Sequence, residues 1–154
     1  MLAGKHYQNA YVVADIHKGL EYFRALRDLG DIQIIEATTP VITPVGQREQ
    51  SIKLALFWVD DLQYEVIEPV GGHVDLYAAA IRDDGIPAFH HSCTRVDDWE
   101  ALRNKAIATG FDIAIEGGGD HLKFLYLDAR PAVGHYLEYC WMNDDTWLML
   151  GGSA

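Results

Sequence analysis

The sequence predicts an α+β fold built from two copies of one βαβββ module. Three observations predict it: a strand–helix opening that recurs in both halves, short strands rich in aromatic and β-branched residues, and turn signals between them. The opening strand carries Gln8 in the first half and His91 in the second. When these two residues are aligned, Asp15 meets Asp98 at the expected start of each helix.

The first module is expected to span about residues 6–70. His6 to Val13 has strand composition, and Asp15 is a candidate N-cap for the helix that follows. Apolar residues from Leu20 to Leu29 recur at helical spacing, and Gly30 ends that helix. The remaining predicted strands are Asp31–Ala37, Ser51–Val59 and Leu62–Glu68. The stretch Thr38–Gln50 is predicted as a loop, because it contains two prolines and a glycine.

The second module is expected to span about residues 88–141, after a linker at 71–87 that holds a short helix at Val74–Arg82. Its predicted elements are strands at Ala88–Val96, Phe111–Ile115, His121–Leu127 and His135–Trp141, and a helix at Trp99–Ala108. A glycine turn at Gly117–Gly119 separates two of these strands. The tail, residues 142–154, is apolar from Trp147 to Leu150. The whole chain is therefore expected to form a single domain.

Composition excludes several classes of protein. The chain has 154 residues, 49% of them hydrophobic and 23% charged, which is typical of one soluble globular domain. No apolar run reaches the roughly 18 residues that span a membrane, and the first residues lack the apolar stretch of a secretory signal. The net charge of −11 argues against binding to nucleic acid or to an anionic membrane. Cys93 and Cys140 are too few for a disulfide framework and favour a cytoplasmic location.

Four polar side chains occupy equivalent places in the two halves. Gln8 and His91 lie on the opening strands, and Glu65 and Glu138 lie on the closing strands. An amide oxygen, an imidazole and two carboxylates suffice to hold a divalent metal. His6 shares a strand face with Gln8 and is an alternative ligand. The pattern alone leaves structural roles open, because strand carboxylates usually face solvent and strand histidines are usually hydrogen-bonded in the core.

Strand alternation makes further predictions about the neighbours of these residues. Residues i and i+2 share a face, so Cys93 is expected beside His91 and Cys140 beside Glu138. If the ligands point into a cavity, both cysteines line it as small apolar residues. His90 is then expected to point the other way, into the core or to solvent.

The order βαβββ–linker–βαβββ resembles the vicinal oxygen chelate superfamily. That group includes glyoxalase I, methylmalonyl-CoA epimerase, extradiol dioxygenases and bleomycin-resistance proteins. The resembling stretches are Gln8–Asp15, Tyr64–Pro69, Phe89–His91, Arg95–Asp98, Phe124–Asp128 and His135–Glu138. The resemblance covers about residues 6–141. It implies a half-open, mostly antiparallel eight-stranded sheet around a cavity, and a homodimer whose formation would cover the apolar tail.

The resemblance also implies a metal site at Gln8, Glu65, His91 and Glu138. Epimerases usually have histidine where this chain has Gln8, whereas some zinc-type glyoxalase I enzymes present the same four residue types. Gln8 argues against an extradiol dioxygenase, whose iron site needs two histidines and one carboxylate. Lys53 falls near the place where epimerases carry a second catalytic carboxylate, which departs from that branch.

The implied function is that of a glyoxalase-like, metal-dependent lyase or isomerase. Glu138 or Glu65 would remove a carbon-bound proton next to a metal-chelated carbonyl of a small substrate. The metal would be Zn, Ni, Co or Mn. One alternative is a metal-free, resistance-type protein that binds a small molecule, for which the acidic surface suits a cationic ligand. A ring-cleaving dioxygenase is the other alternative.

Overall fold

The computed structural model describes residues 2–153, which form eight strands and five helices. The strands are β1 (Lys5–Val12), β2 (Gln33–Thr43), β3 (Gly46–Val59), β4 (Leu62–Gly72), β5 (Ala88–Arg95), β6 (Ile113–Gly118), β7 (Leu122–Leu127) and β8 (Tyr136–Met142). The helices are α1 (Ile16–Arg24), α2 (Asp75–Ala78), α3 (Trp99–Ala108), α4 (Arg130–Val133) and α5 (Asp144–Met149). The predicted α+β class and the doubled βαβββ order are confirmed. None of the helices in this described range has the length and apolar character needed to cross a membrane.

The eight strands hydrogen-bond in the order β1-β4-β3-β2-β6-β7-β8-β5, and this order closes into a barrel. Strand β1 runs parallel to β4, with Ala10 opposite Glu65. The β3–β4, β2–β6, β6–β7 and β7–β8 pairs are antiparallel. The expected half-open sheet is therefore wrong. Alternation along a strand is the same in an open sheet and in a barrel, so it does not report closure, which removes the unpaired sheet edges.

The chain packs as two compact units, one of which consists of Gln8–Thr39 and Glu49–His91. In this unit Ile16 and Leu20 of α1 are buried with Phe57 and Val66 of the strands. The predicted cap is present, since the Asp15 carboxylate accepts a hydrogen bond from the Lys18 backbone N–H at 3.0 Å. Helix α1 ends before the predicted Gly30. Leu26, the first large apolar residue beyond the helix, is 83% exposed, so it does not hold a further helical turn against the core.

The other unit consists of the chain up to Tyr7, Pro40–Arg48, and the chain from Ser92 onward. Its helix α3 has the predicted bounds and is capped by Asp98, whose carboxylate accepts from the Ala101 N–H at 2.9 Å. Trp99 and Leu102 of this helix are buried against Leu125 and Leu137. The same Asp-capped, strand-packed helix therefore occurs in both modules, as the sequence repeat predicted.

The predicted loop at Thr38–Gln50 is wrong, because β2 and β3 run through most of it and leave only Pro44 and Val45 as a turn. The hydroxyl of Thr43 closes this turn by donating to the Gly46 carbonyl at 2.8 Å and accepting from the Val45 N–H at 3.2 Å. Proline has a φ compatible with a strand and lacks only the N–H, so Pro40 can lie within β2.

The tail forms a helix, α5, that the sequence analysis missed. Asn143 caps it by accepting a hydrogen bond from the Thr146 N–H at 2.9 Å. Trp147 is buried: its ring meets that of Tyr7 edge-on at 5.1 Å, and the Arg95 guanidinium lies 4.6 Å from the ring centre. The aromatic part of the tail therefore packs within its own unit. The homodimer stays a prediction.

Candidate metal centre

Two of the four predicted ligands come together within one unit. Nε2 of His91, on β5, lies 3.4 Å from Oε2 of Glu65, on β4. One divalent ion can bind both atoms, because its bonds to nitrogen and oxygen are each about 2.0–2.2 Å long. Glu138 of β8 belongs to the other unit, and its role as a ligand stays a prediction.

The pair of His91 and Glu65 is buried. The His91 side chain is fully buried, and Nε2 of its ring lies 3.4 Å from Oε2 of Glu65. Glu65 itself is 8% exposed. Its place follows from the register of β4, in which it pairs with Ala10 on one side and Leu56 on the other. A buried carboxylate needs a cation or hydrogen-bond donors to offset its desolvation, so this pair is suited to a positively charged partner.

His90 does not simply point away from this pair, as strand alternation predicted. It is buried, and its ring lies 5.1 Å from that of Tyr77. Its Nε2 lies 3.0 Å from the Leu76 carbonyl oxygen, and its Nδ1 lies 2.8 Å from Nδ1 of His91. The prediction placed the ring correctly in the core but missed this contact. Nδ1 sits near the backbone, so neighbouring strand residues can join through it despite facing opposite sides.

Gln8, the fourth predicted ligand, is buried on β1 opposite Gln63 of β4. Its amide nitrogen donates a hydrogen bond to Oε1 of Gln63 at 2.8 Å. This bond assigns the nitrogen to Gln63 and leaves the oxygen as the atom suited to a metal. The role of Gln8 as a ligand stays a prediction. His6, the alternative, is exposed at the start of β1.

Glu138 is the more accessible of the two carboxylates. It is half-buried, and in the register of β7 and β8 it lies opposite Tyr126. The Tyr126 ring packs near those of Phe124 and Tyr136, at 6.0 and 6.3 Å between ring centres. An aromatic surface therefore lies beside Glu138 on this strand pair.

The two cysteines form a cluster with Tyr7. Their sulfur atoms are 3.6 Å apart, and the Tyr7 hydroxyl lies 3.2 Å from Sγ of Cys140 and 3.7 Å from Sγ of Cys93. Burial raises the pKa of the Tyr7 hydroxyl and that of the Cys93 thiol, so both stay protonated at neutral pH. Both cysteines are buried, and their low reactivity stays a prediction. The sequence analysis missed Tyr7, which is an ordinary aromatic strand residue in pattern.

Lys53 lies on the opposite face of its sheet from Glu65. It pairs in register with Glu68, and its Nζ lies 3.3 Å from Oε1 of that residue. The other Glu68 oxygen accepts a hydrogen bond from the Ile16 N–H, at the start of α1, at 2.8 Å. Glu65 and Glu68 are three residues apart on one strand, so they face opposite sides. The Lys53 position therefore supports the packing of α1.

No protein-family model and no curated protein matches the chain. Solved structures do match it over nearly its whole length. Methylmalonyl-CoA epimerase from Mycobacterium tuberculosis is 18% identical with a TM-score of 0.62, and the match covers 96% of this chain and 97% of that chain. A methylmalonyl-CoA epimerase in complex with methylmalonyl-CoA and NH4+ is 13% identical with a TM-score of 0.66, covering 93% and 97%.

A hypothetical protein from Bacillus halodurans is similar to the same degree, with 16% identity, a TM-score of 0.63, and coverage of 93% of this chain and 97% of that chain. At identities this low, the likeness concerns the arrangement of strands and helices. The chain therefore shares its fold with these solved structures.

Proposed function

We propose that the protein is a metal-dependent isomerase or lyase that removes a carbon-bound proton next to a carbonyl group of a small substrate. The observation that carries this proposal is the buried pair of Glu65 and His91, whose Oε2 and Nε2 lie 3.4 Å apart. The epimerases among the solved structures of this fold support the isomerase class.

The chemistry of the donor set fits a divalent cation. One imidazole nitrogen and two carboxylates suit Zn, Ni, Co or Mn, and the two negative charges balance the charge of the ion. Gln8 would add an amide oxygen as the fourth ligand. Holding the Glu65 carboxylate beside a fully buried imidazole costs free energy without a cation, and a metal offsets that cost.

The donor set also favours this chemistry over ring cleavage by a dioxygenase. Such iron sites use two histidines and one carboxylate, whereas the proposed ligands here include one histidine and two carboxylates. His90 does not supply a second histidine ligand in this arrangement, since its ring nitrogens face the Leu76 carbonyl and His91.

We assign the two carboxylates different roles. When bound, the metal would act as a Lewis acid toward adjacent substrate oxygens. Glu138 is the proposed base, because it is half-buried and so can reach both the proposed metal and a substrate. Glu65 is more buried and lies against His91, so it chiefly holds the site together. In an isomerase, which must also return a proton, Glu65 is the second carboxylate available for that step.

The test begins with metal content. Untagged protein purified without chelators should carry one divalent ion per chain by native mass spectrometry, or take one up from Zn, Ni, Co or Mn. Absence of binding for all four metals would contradict the proposal and favour the metal-free binding protein.

The second stage follows deuterium exchange from solvent into the acidic C–H of an acyl thioester or a 2-oxo thiohemiacetal. Glu138→Gln should slow exchange by about 100-fold or more, since it removes the base while keeping its size. Glu100→Gln, an identical change on the exposed face of α3, is the matched control and should exchange at the wild-type rate. Unchanged exchange in Glu138→Gln would exclude Glu138 as the base.

A further inference from the structure

We infer that His90 is a positioning residue, which determines which ring nitrogen of His91 carries the proton and therefore whether Nε2 presents a lone pair to Glu65. The inference rests on the proposed function only for the identity of the cation that His91 binds. It starts from three groups in a row: the Leu76 carbonyl, the His90 ring and the His91 ring.

The hydrogen-bond partners assign the proton on His90. The Leu76 carbonyl oxygen can only accept, and it lies 3.0 Å from Nε2 of His90. Nε2 of His90 must therefore carry the proton and donate it. Carbonyls near the end of a helix lack an intrahelical donor, so the four-residue helix α2 gains a hydrogen bond here.

The proton on His91 follows from that on His90. A neutral His90 that is protonated at Nε2 has a lone pair at Nδ1. Nδ1 of His91 lies 2.8 Å from that lone pair, so it must carry a proton and donate. The reverse assignment would set the Nε2 lone pair of His90 against the Leu76 carbonyl oxygen.

The consequence is that Nε2 of a neutral His91 bears a lone pair, 3.4 Å from Oε2 of Glu65. Two acceptors facing each other at that separation are stabilised by a cation between or beside them. Histidines that bind metals usually donate their other ring N–H to a neighbouring acceptor, which fixes the tautomer and the ring orientation. Here that acceptor is a second histidine from the adjacent strand position, held in turn by a helix carbonyl.

Two substitutions separate the two contacts of His90. His90→Asn puts an amide oxygen where Nδ1 lies, so it can still accept from His91, but it gives up the bond to Leu76. His90→Gln extends an amide nitrogen toward the Leu76 carbonyl and leaves no acceptor where Nδ1 lies. Both variants remove the ring that packs on Tyr77, so their melting temperatures should fall by similar amounts.

The readout is the protonation state of His91 Nδ1, which long-range 1H–15N correlation spectra report in the metal-free protein and in the Zn-loaded protein. Wild type and His90→Asn should carry a proton at Nδ1 of His91. In His90→Gln the proton should move to Nε2, where it can bond to Glu65 and competes with the metal. Zn affinity should then fall by about 10- to 100-fold in His90→Gln and stay close to wild type in His90→Asn.

An unprotonated Nδ1 of His91 in the wild-type protein would overturn the inference. Equal losses of Zn affinity in the Asn and Gln variants would do the same, because they would show that His90 acts only through packing. If wild-type protein binds none of Zn, Ni, Co and Mn, the proposed function fails, yet the spectra of the metal-free protein still decide whether His90 sets the tautomer.

Discussion

The opening strands of the two modules each hold a buried polar side chain against a neighbour, but the neighbours differ. Gln8 and His91 are equivalent in the repeat, and each contacts a buried neighbour through a side-chain nitrogen. Gln8 donates to Gln63, on the neighbouring strand β4. His91 lies against His90, on its own strand. With the inferred tautomer of His91, its Nε2 and the oxygen of Gln8 are the proposed ligand atoms.

The residues that precede these ligands differ more strongly. Tyr7 and His90 are equivalent, and each packs at 5.1 Å against an aromatic ring from the helix that follows a module, Trp147 for Tyr7 and Tyr77 for His90. His90 also contacts His91, whereas Tyr7 contacts the two cysteines. The comparison teaches that the repeat keeps the aromatic packing beside each candidate ligand, while the polar contacts of the preceding residue differ.

The largest expected effect separates the two ligands themselves. Imidazole nitrogen binds Zn or Ni more strongly than a neutral amide oxygen does, so His91→Ala should weaken Zn binding more than Gln8→Ala. We expect a loss of about 100-fold or more for His91→Ala and about 10-fold for Gln8→Ala, measured by competition with a chromophoric chelator. Equal losses would mean that the two halves contribute equally. No loss for Gln8→Ala would remove Gln8 from the site.

The next largest effect concerns Trp147, whose ring packs against that of Tyr7. Trp147→Ala should lower the free energy of unfolding by about 3 kcal/mol, because it leaves a cavity beneath α5 and removes the contacts with Tyr7 and Arg95. Urea denaturation measures this change. Leu148→Ala is the control on the same helix: its side chain is 52% exposed, so it should cost less than about 0.5 kcal/mol. A cost for Trp147→Ala as small as that of the control would show that the tail does not support the unit.

Much of the backbone could be predicted because it depends on local periodicity. The candidate ligands were chosen because they occupy equivalent strand positions in the two halves and because the resemblance to a known superfamily implies them, since alternation alone leaves open which strand face is buried. An aspartate before an amphipathic segment identified the start of α1 and α3. These signals lie within a few residues of the feature they predict.

The errors arose where structure depends on distant or unusual contacts. Closure of the barrel depends on pairing between strands far apart in sequence. Alternation along one strand does not indicate which strands pair. Thr43 turns a proline-containing stretch into a hairpin by two hydrogen bonds that composition does not reveal. The contact between His90 and His91 breaks the rule of alternation, since ring nitrogens near the backbone can meet across it. The missed contact is the one on which the inferred tautomer of His91 rests.

The smallest expected effect tests the part of the comparison in which the halves should agree. Asp15 and Asp98 cap equivalent helices, with carboxylate-to-N–H distances of 3.0 and 2.9 Å. Asp15→Ala and Asp98→Ala should therefore lower the melting temperature by similar amounts, about 2–4 °C each. Asp97→Ala, an exposed change beside the second cap, should leave it nearly unaltered. Differential scanning calorimetry on the metal-free protein keeps ligand binding out of the comparison. A large cost at one cap and none at the other would show that the modules share a sequence pattern without sharing its energetics.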